Sequence, residues 1–439
     1  MSAALILSIT ALVGLYMAWN IGANDVANAM GTSVGSRALT LRQAIVVAGI
    51  LEFAGAVLVG AYVSDTVRKG IVNPGIFAAD PLLLVHGMMA ALIAAALWLN
   101  LASFLGLPVS TTHAIVGAVA GFGILTGGMG AISWGTLGFI TASWVVSPIV
   151  GGLVAFVLFS LVRRFILQNP DPGTTAQRSA PAMVAVLTSG LALVVLFKGL
   201  KNVDLNLQWY QSLSFAVGLG LFGATSVALY QRRGLIFGGS SSMSSTSTSS
   251  GSATLQITTN NNDDDTRAGV LDRVERTFQP LQVATAASVA FAHGANDVAN
   301  AVGPMAAVFA TIQTGLVTQK VDVPLWILVL GGAGIVIGLA TYGFKVMATI
   351  GTKITEITPS RGFAAEFGAA MTILVGSKLG LPLSTTHTLV GAVVGVGIAR
   401  GTAALNMTVV RNIAVSWLLT VPIAAAVTVP VFYLLRWLG

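Results

Sequence analysis

Apolar runs long enough to cross a bilayer recur almost end to end in this chain, and they limit its fold more than any other feature. A helical span needs about 20 apolar residues. Such runs fall at about 3–19, 43–63, 82–104, 108–127, 134–161, 182–200, 211–230, 280–310, 324–344, 363–379, 383–399 and 410–436. These twelve hydrophobic elements predict an all-α polytopic membrane protein. Only 8% of the 439 residues are charged, against about a quarter in soluble domains, which excludes a soluble enzyme. The 50 glycines have no triplet period and 55% of residues are hydrophobic, so neither a collagen-like nor a disordered chain fits. With no Cys, disulfides and thiolate chemistry are absent. The net charge of +7 comes from Lys and Arg scattered through short loops; it is not a nucleic-acid footprint. No Lys or Arg precedes Arg37, so the first run reads as a retained helix rather than a signal peptide.

Two pairs of runs, 82–127 and 363–399, have almost no polar loop between their halves and join at a Gly-Leu-Pro step. Hydropathy allows either ordinary spans or re-entrant helical hairpins there. Residues 231–279 break the apolar pattern with ten charges, a Ser/Thr/Gly tract at 239–252 and NNNDDD at 260–265. That composition predicts a flexible linker.

The chain also repeats itself. GANDVANA occupies residues 22–29 and returns at 294–301, 272 positions later. LGLPVSTTHAIVGAV at 105–119 returns as LGLPLSTTHTLVGAV at 379–393, with 12 of 15 positions identical. Ser143, Trp144 and Pro148 return as Ser416, Trp417 and Pro422. The organisation read from this is a first transmembrane repeat over 1–165, two connecting helices over 166–230, the linker over 231–279 and a second repeat over 280–439. An odd number of crossings separates the two octapeptides, whether or not the paired runs are re-entrant, so the repeats face opposite ways. Inverted repeats are an architecture of secondary transporters, with substrate near the midplane. Loops on the linker side hold fifteen Lys and Arg against seven on the other. The positive-inside rule then puts the linker in the cytoplasm and both termini outside, in a multi-pass inner-membrane protein.

Asp25, Glu52, Asp297 and Glu366 lie inside apolar stretches. A charge at the bilayer centre costs about 2.5–3.5 kcal/mol on insertion scales, so such residues are functional candidates. The plainer alternative is a hydrogen-bond network that packs helices. Asp25 and Asp297 sit in the duplicated octapeptides with Asn24, Asn28, Asn296 and Asn300, which gather oxygens on one helical face. Gly22 and Gly294 would let the backbone unwind and offer carbonyls. Hard oxygen ligands suit sodium, or a proton as the alternative. Glu52 and Glu366 each occur in one repeat only, as further cation ligands, gates or buried protonated carboxyls.

The second motif, Pro-x-Ser-Thr-Thr-His, covers Ser110, Thr111, Thr112 and His113 in one copy and Ser384, Thr385, Thr386 and His387 in the other. Pro and Ser/Thr favour a helix start, and free first-turn amides with hydroxyls make an anion site. An ordinary N-cap at a membrane surface is the alternative. For His113 and His387 a structural hydrogen bond is the simpler reading, and the unduplicated His86 and His293 read as ordinary packing residues. Aspartates and an anion at one depth repel unless cations bind with them, so the two motifs together predict cation-coupled anion symport. An anion channel fits the inverted repeat poorly, and no nucleophile–base pair supports a hydrolase.

The duplicated GANDVANA and Pro-x-Ser-Thr-Thr-His motifs resemble those of the inorganic phosphate transporter (PiT) family of cation-coupled symporters. Residues 16–36 and 361–401 look most like its bacterial and plastid branch. The resemblance implies that Asp25, Asn28, Asp297 and Asn300 bind the coupling cation, sodium before proton, and that Ser110, Thr111, Thr112, Ser384, Thr385 and Thr386 hold phosphate. It also matches Glu52 and Glu366 to acidic positions linked to transport, and implies no catalytic residue and no cofactor beyond the coupling ion. Some members carry sulfate, which is also tetrahedral. The expected partners are inorganic phosphate, sodium or a proton, and the lipid bilayer, with no nucleic acid. Gly-rich faces such as 331–338 permit close helix packing, within one chain or in a homodimer.

Overall fold

The computed structural model describes residues 2–61, 63–64, 70–196, 207–232, 267–317, 323–344, 347, 355–401 and 405–438. Among the described residues run twelve α-helices: α1 (Ala3–Gly35), α2 (Leu41–Val59), α3 (Pro81–Phe104), α4 (Thr111–Gly127), α5 (Trp134–Val162), α6 (Pro172–Leu196), α7 (Trp209–Arg232), α8 (Arg267–Thr314), α9 (Leu325–Tyr342), α10 (Pro359–Lys378), α11 (Thr385–Arg400) and α12 (Met407–Leu438). Each of the twelve apolar runs falls on one of them, and eight are long and apolar enough to cross a membrane. The outer helices expose large apolar side chains, such as Ile149 and Leu153 on α5 and Phe215 and Phe222 on α7. A helix that is apolar all round belongs in lipid.

One boundary differs from the sequence reading. α8 begins at Arg267, so the last residues of the expected linker are helical. Their apolar positions explain it: Val274 and Phe278 are buried in a cluster with Val162, Ile166 and Phe363. The Ser/Thr/Gly tract and NNNDDD lie outside the described residues.

α1 and α8 cross antiparallel. Ser36 meets Gln282 and Asp25 meets His293, while a side chain on Gly14 would meet Met305. Rising numbers on one helix face falling numbers on the other, as inverted repeats require. The repeats are interleaved: α1 packs on α9, α2 on α8, α4 on α12 and α5 on α11.

The inversion decides the nature of the paired runs. Both tips are built alike, with Gly106 (φ 67°) and Gly380 (φ 74°) in the left-handed region that ends a helix sharply. Leu107 N–H returns to Ala102 O and Leu381 N–H to Gly376 O, both at 2.9 Å. Spans from inverted repeats would put their tips at opposite membrane faces. Instead the tips touch: Thr112 Oγ1 donates to Leu383 O (2.9 Å), and the His113 and His387 rings lie 4.3 Å apart. Both pairs, α3–α4 and α10–α11, are therefore re-entrant hairpins meeting inside the protein.

The octapeptide glycines do not unwind. α1 and α8 run as continuous helix through Gly22 and Gly294. A Cβ at Gly22 would collide with Ile335 O on α9, and one at Gly294 with Glu52 O on α2. Reciprocally, Gly338 faces Trp19 O and Gly55 faces Phe291 O. These glycines permit backbone-to-backbone crossings. Gly294→Val should lower the thermal midpoint of the purified protein, at a cost of about 1–3 kcal/mol or more for overpacking. Gly218→Ala, whose Cβ would meet nothing within 4 Å, should not; equal midpoints for the two would refute the crossing argument.

Candidate functional site

The hairpin tips rest on the middle of α1 and α8, where the octapeptides lie. Asn24 Nδ2 donates to Ser103 Oγ (2.9 Å) and Leu107 O (3.3 Å) in the first hairpin. Its repeat mate Asn296 donates to Ser377 Oγ (3.0 Å) and Leu381 O (3.1 Å) in the second. Each of these asparagines thus latches the hairpin of its own repeat and leaves its Oδ1 buried without a partner.

The remaining motif residues join the two repeats. Asn28 Nδ2 donates to Asp25 Oδ1 (3.0 Å) and Thr386 Oγ1 (2.8 Å), and Thr386 Oγ1 lies 3.3 Å from Asp25 Oδ1. Asp297 Oδ2 accepts from Thr385 Oγ1 at 2.6 Å, and its Oδ1 lies 3.5 Å from Thr112 Oγ1, whose proton goes to Leu383 O. Asn300 Nδ2 reaches both Thr111 and Thr112 at 3.2 Å. Ser110 and Ser384 cap α4 and α11, accepting from the N–H of His113 and His387 at 3.2 Å. The first-turn amides above them have no intrahelical partner by helix geometry. All twelve octapeptide and tip residues predicted from the sequence are at most 2% exposed, so they form one closed centre.

Both tip histidines take the structural role. His113 Nδ1 faces Trp417 O at 3.3 Å, and His387 Nδ1 faces Trp144 O at 3.2 Å. A carbonyl only accepts, so Nδ1 carries the proton in each. Pro148 has no N–H to offer Trp144 O four residues back, which frees that carbonyl for His387.

His293 is the correction. It is fully buried, with Nε2 3.0 Å from Asp297 Oδ2 and 3.7 Å from Asp25 Oδ2, and Nδ1 3.2 Å from Glu52 Oε1. One imidazole thus links three carboxylates from α1, α2 and α8. The close contacts are poorly angled for hydrogen bonds, and both Glu52 oxygens and Asp25 Oδ2 lack hydrogen-bond partners. The arrangement exists once. Residue 293 matches Ile21 across the repeat, and the reciprocal glycine crossings match Glu52 to Ile335. No repeat marks His293 in the sequence, although an ionisable residue opposite an isoleucine at a known offset sets it apart.

Glu366 forms a separate network about 10 Å along α1 from Asp25, seven residues at 1.5 Å each. Its Oε1 accepts from Thr32 (2.5 Å), Ser33 (2.7 Å) and Gln282 (3.3 Å), and its Oε2 from Thr285 (2.7 Å). These four donors carry no sequence repeat, so no motif marks them. His86 is buried in α3, as expected of a packing residue.

Chemically, the centre offers carboxylate and amide oxygens beside hydroxyls and helix starts. The ligand atoms of Asp25, His293 and Asp297 lie within 4.8 Å of one another. Three buried carboxyl groups thus surround one buried imidazole. The phosphate transporter family matches residues 21–428. The chain belongs to that family. An inorganic phosphate transporter of Arabidopsis thaliana, described as chloroplastic, is 44% identical over 422 residues, covering 96% of this chain and 70% of the plant protein. A solved structure described as the sodium-dependent phosphate transporter is 40% identical and superposes with a TM-score of 0.85, covering 99% of this chain and all of that one. The phosphate transporter family is one of transporters, not enzymes, and this member is a multi-pass membrane protein.

Proposed function

We propose that the chain imports inorganic phosphate by sodium symport with alternating access. One observation carries the reading: the threonine hydroxyls of the hairpin tips bond directly to the octapeptide carboxylates, as in the 2.6 Å contact from Thr385 to Asp297. A hydroxyl has one proton to donate. While Thr385 gives it to Asp297 it cannot give it to an anion, and the bare carboxylate repels one. Sodium held by Asp25, Asn28, Asp297 and Asn300 would neutralise the carboxylates and free the hydroxyls. Phosphate could then bind to Ser110, Thr111, Thr112, Ser384, Thr385 and Thr386 and the amides of two helix starts. The buried oxygens of Asp25, Asn24, Asn28, Asn296 and Asn300 that lack partners suit a hard cation. Asn24 and Asn296 would contribute through those oxygens while their amides hold the hairpins. Glu52 acts through His293, and Glu366 ties α1, α8 and α10 as a coupling or gating element.

The charge bias of the loops supports a cytoplasmic linker with both termini outside, so that import follows the inward sodium gradient. The test is radiolabelled phosphate uptake into proteoliposomes under imposed sodium or proton gradients, with sulfate as competitor. Uptake that follows sodium and resists sulfate is expected. Uptake that follows only the proton gradient would reassign the coupling ion, and gradient-independent flux would overturn symport.

A further inference from the structure

The two repeats differ at one lipid-facing seam, independently of the transport reading above. In the first repeat, Trp98 on α3 donates its indole Nε1–H to Thr420 Oγ1 on α12 at 3.2 Å. The duplicated sequence gives the mates of both residues. Trp98 stands 274 positions before Thr372, the offset of the Gly-Leu-Pro-x-Ser-Thr-Thr motif, and Thr420 follows Ser416-Trp417 as Ser147 follows Ser143-Trp144. The hydroxyl acceptor is therefore kept, while the indole is replaced by a threonine.

The consequence is visible between α5 and α10. A cavity of about 390 Å³ opens there to the lipid-facing side, with Ser147 and Thr372 in its wall. Thr372 gives its hydroxyl proton to Gly368 O (2.8 Å). Ser147 Oγ is only 3% exposed as a residue and has no hydrogen-bond partner. An unpaired buried hydroxyl is costly, and its counterpart in the other repeat is paired by an indole. Ser143 also lines the wall, with its hydroxyl proton given to Ile140 O (2.6 Å), and the other wall residues are apolar, including Leu381 and Leu383 of the second hairpin tip.

We propose that this groove binds a small, uncharged, membrane-soluble aromatic of about indole size that gives one hydrogen bond to Ser147 Oγ. The volume lies within the range of small-molecule sites, which are mostly apolar with a few placed polar groups. The seam filled by Trp98 supplies the template for shape and for the single donor. Nothing in the wall is charged, so an ionic ligand has no partner there. The occupant would lie behind the tip whose Leu381 and Leu383 carbonyls accept from Asn296 and Thr112.

The experiment is ¹⁹F NMR titration of 5-fluoroindole with the purified full chain in lipid nanodiscs. Saturable line broadening is expected for the unaltered protein. Thr372→Trp should abolish it, because the new side chain rebuilds the seam of the other repeat. Ser147→Ala should weaken binding about fivefold, the worth of one neutral hydrogen bond. Absence of saturable binding to the unaltered protein, the result expected if lipid acyl chains hold the groove, would overturn the proposal. So would equal binding by Thr372→Trp. Should that variant not fold, unchanged affinity in Ser147→Ala is itself decisive against it.

Discussion

Asp297→Asn should reduce sodium-driven phosphate uptake by about 100-fold or more while the protein still inserts and folds. The carboxylate accepts from Thr385 Oγ1 at 2.6 Å and from Asn300 Nδ2 at 3.5 Å, and lies 3.0 Å from His293 Nε2. An amide keeps one acceptor but turns an NH2 toward donors and carries no charge. Hydrogen bonds to a charged group are worth about 1.5–3 kcal/mol each. Losing two of them, or one and a cation's charge, costs roughly 3 kcal/mol, which is about 100-fold at 1.4 kcal/mol per decade. Asp25→Asn should act differently in kind. Asp25 Oδ2 has no hydrogen bond to lose, so its substitution should mainly raise the sodium concentration for half-maximal uptake. Measuring uptake against sodium at fixed phosphate separates the two. Normal uptake in Asp297→Asn, at equal protein in the vesicles, would remove that carboxylate from the coupling site.

Much of this centre was legible in the sequence because the duplication marks it. Residues that recur at a fixed offset inside apolar runs meet in space, Thr112 with Asp297 and Thr386 with Asp25. The twelve helices were legible for the same local reason, since hydropathy is a property of consecutive residues. What escaped depends on distant contacts. The depth of the hairpin tips follows from Thr112 meeting Leu383, 271 positions away, which no window of hydropathy contains. The octapeptide glycines look like unwinding points until α2 and α9 are seen lying against them. The sequence sets His293 against Ile21, but its partner Glu52 shows only once α2 of the other repeat lies beside it. The helical start of α8 was masked by its charges, because two buried apolar residues, Val274 and Phe278, suffice to dock it.

The second large effect lies in that unduplicated pair. In sodium-free buffer His293→Ile should lower unfolding stability by about 3–5 kcal/mol, the cost of breaking a buried charge pair from one side. The substitution leaves Asp25, Glu52 and Asp297 buried together without the imidazole that touches all three. Adding Glu52→Ile removes one stranded carboxylate, and the double variant then carries the Ile21–Ile335 combination that the other crossing already packs with both residues fully buried. The double variant should therefore be more stable than His293→Ile alone, although it has lost one more native side chain. Sodium should stabilise His293→Ile more than the unaltered protein, because a bound cation replaces the missing positive partner and binding to the native state adds to its stability. Thermal unfolding of the four proteins of this cycle, with sodium or choline as the salt, measures both effects. Strict additivity of the two substitutions would mean that the 3.2 Å contact between His293 and Glu52 carries no energy. A sodium response equal across the cycle would separate the imidazole from the cation site.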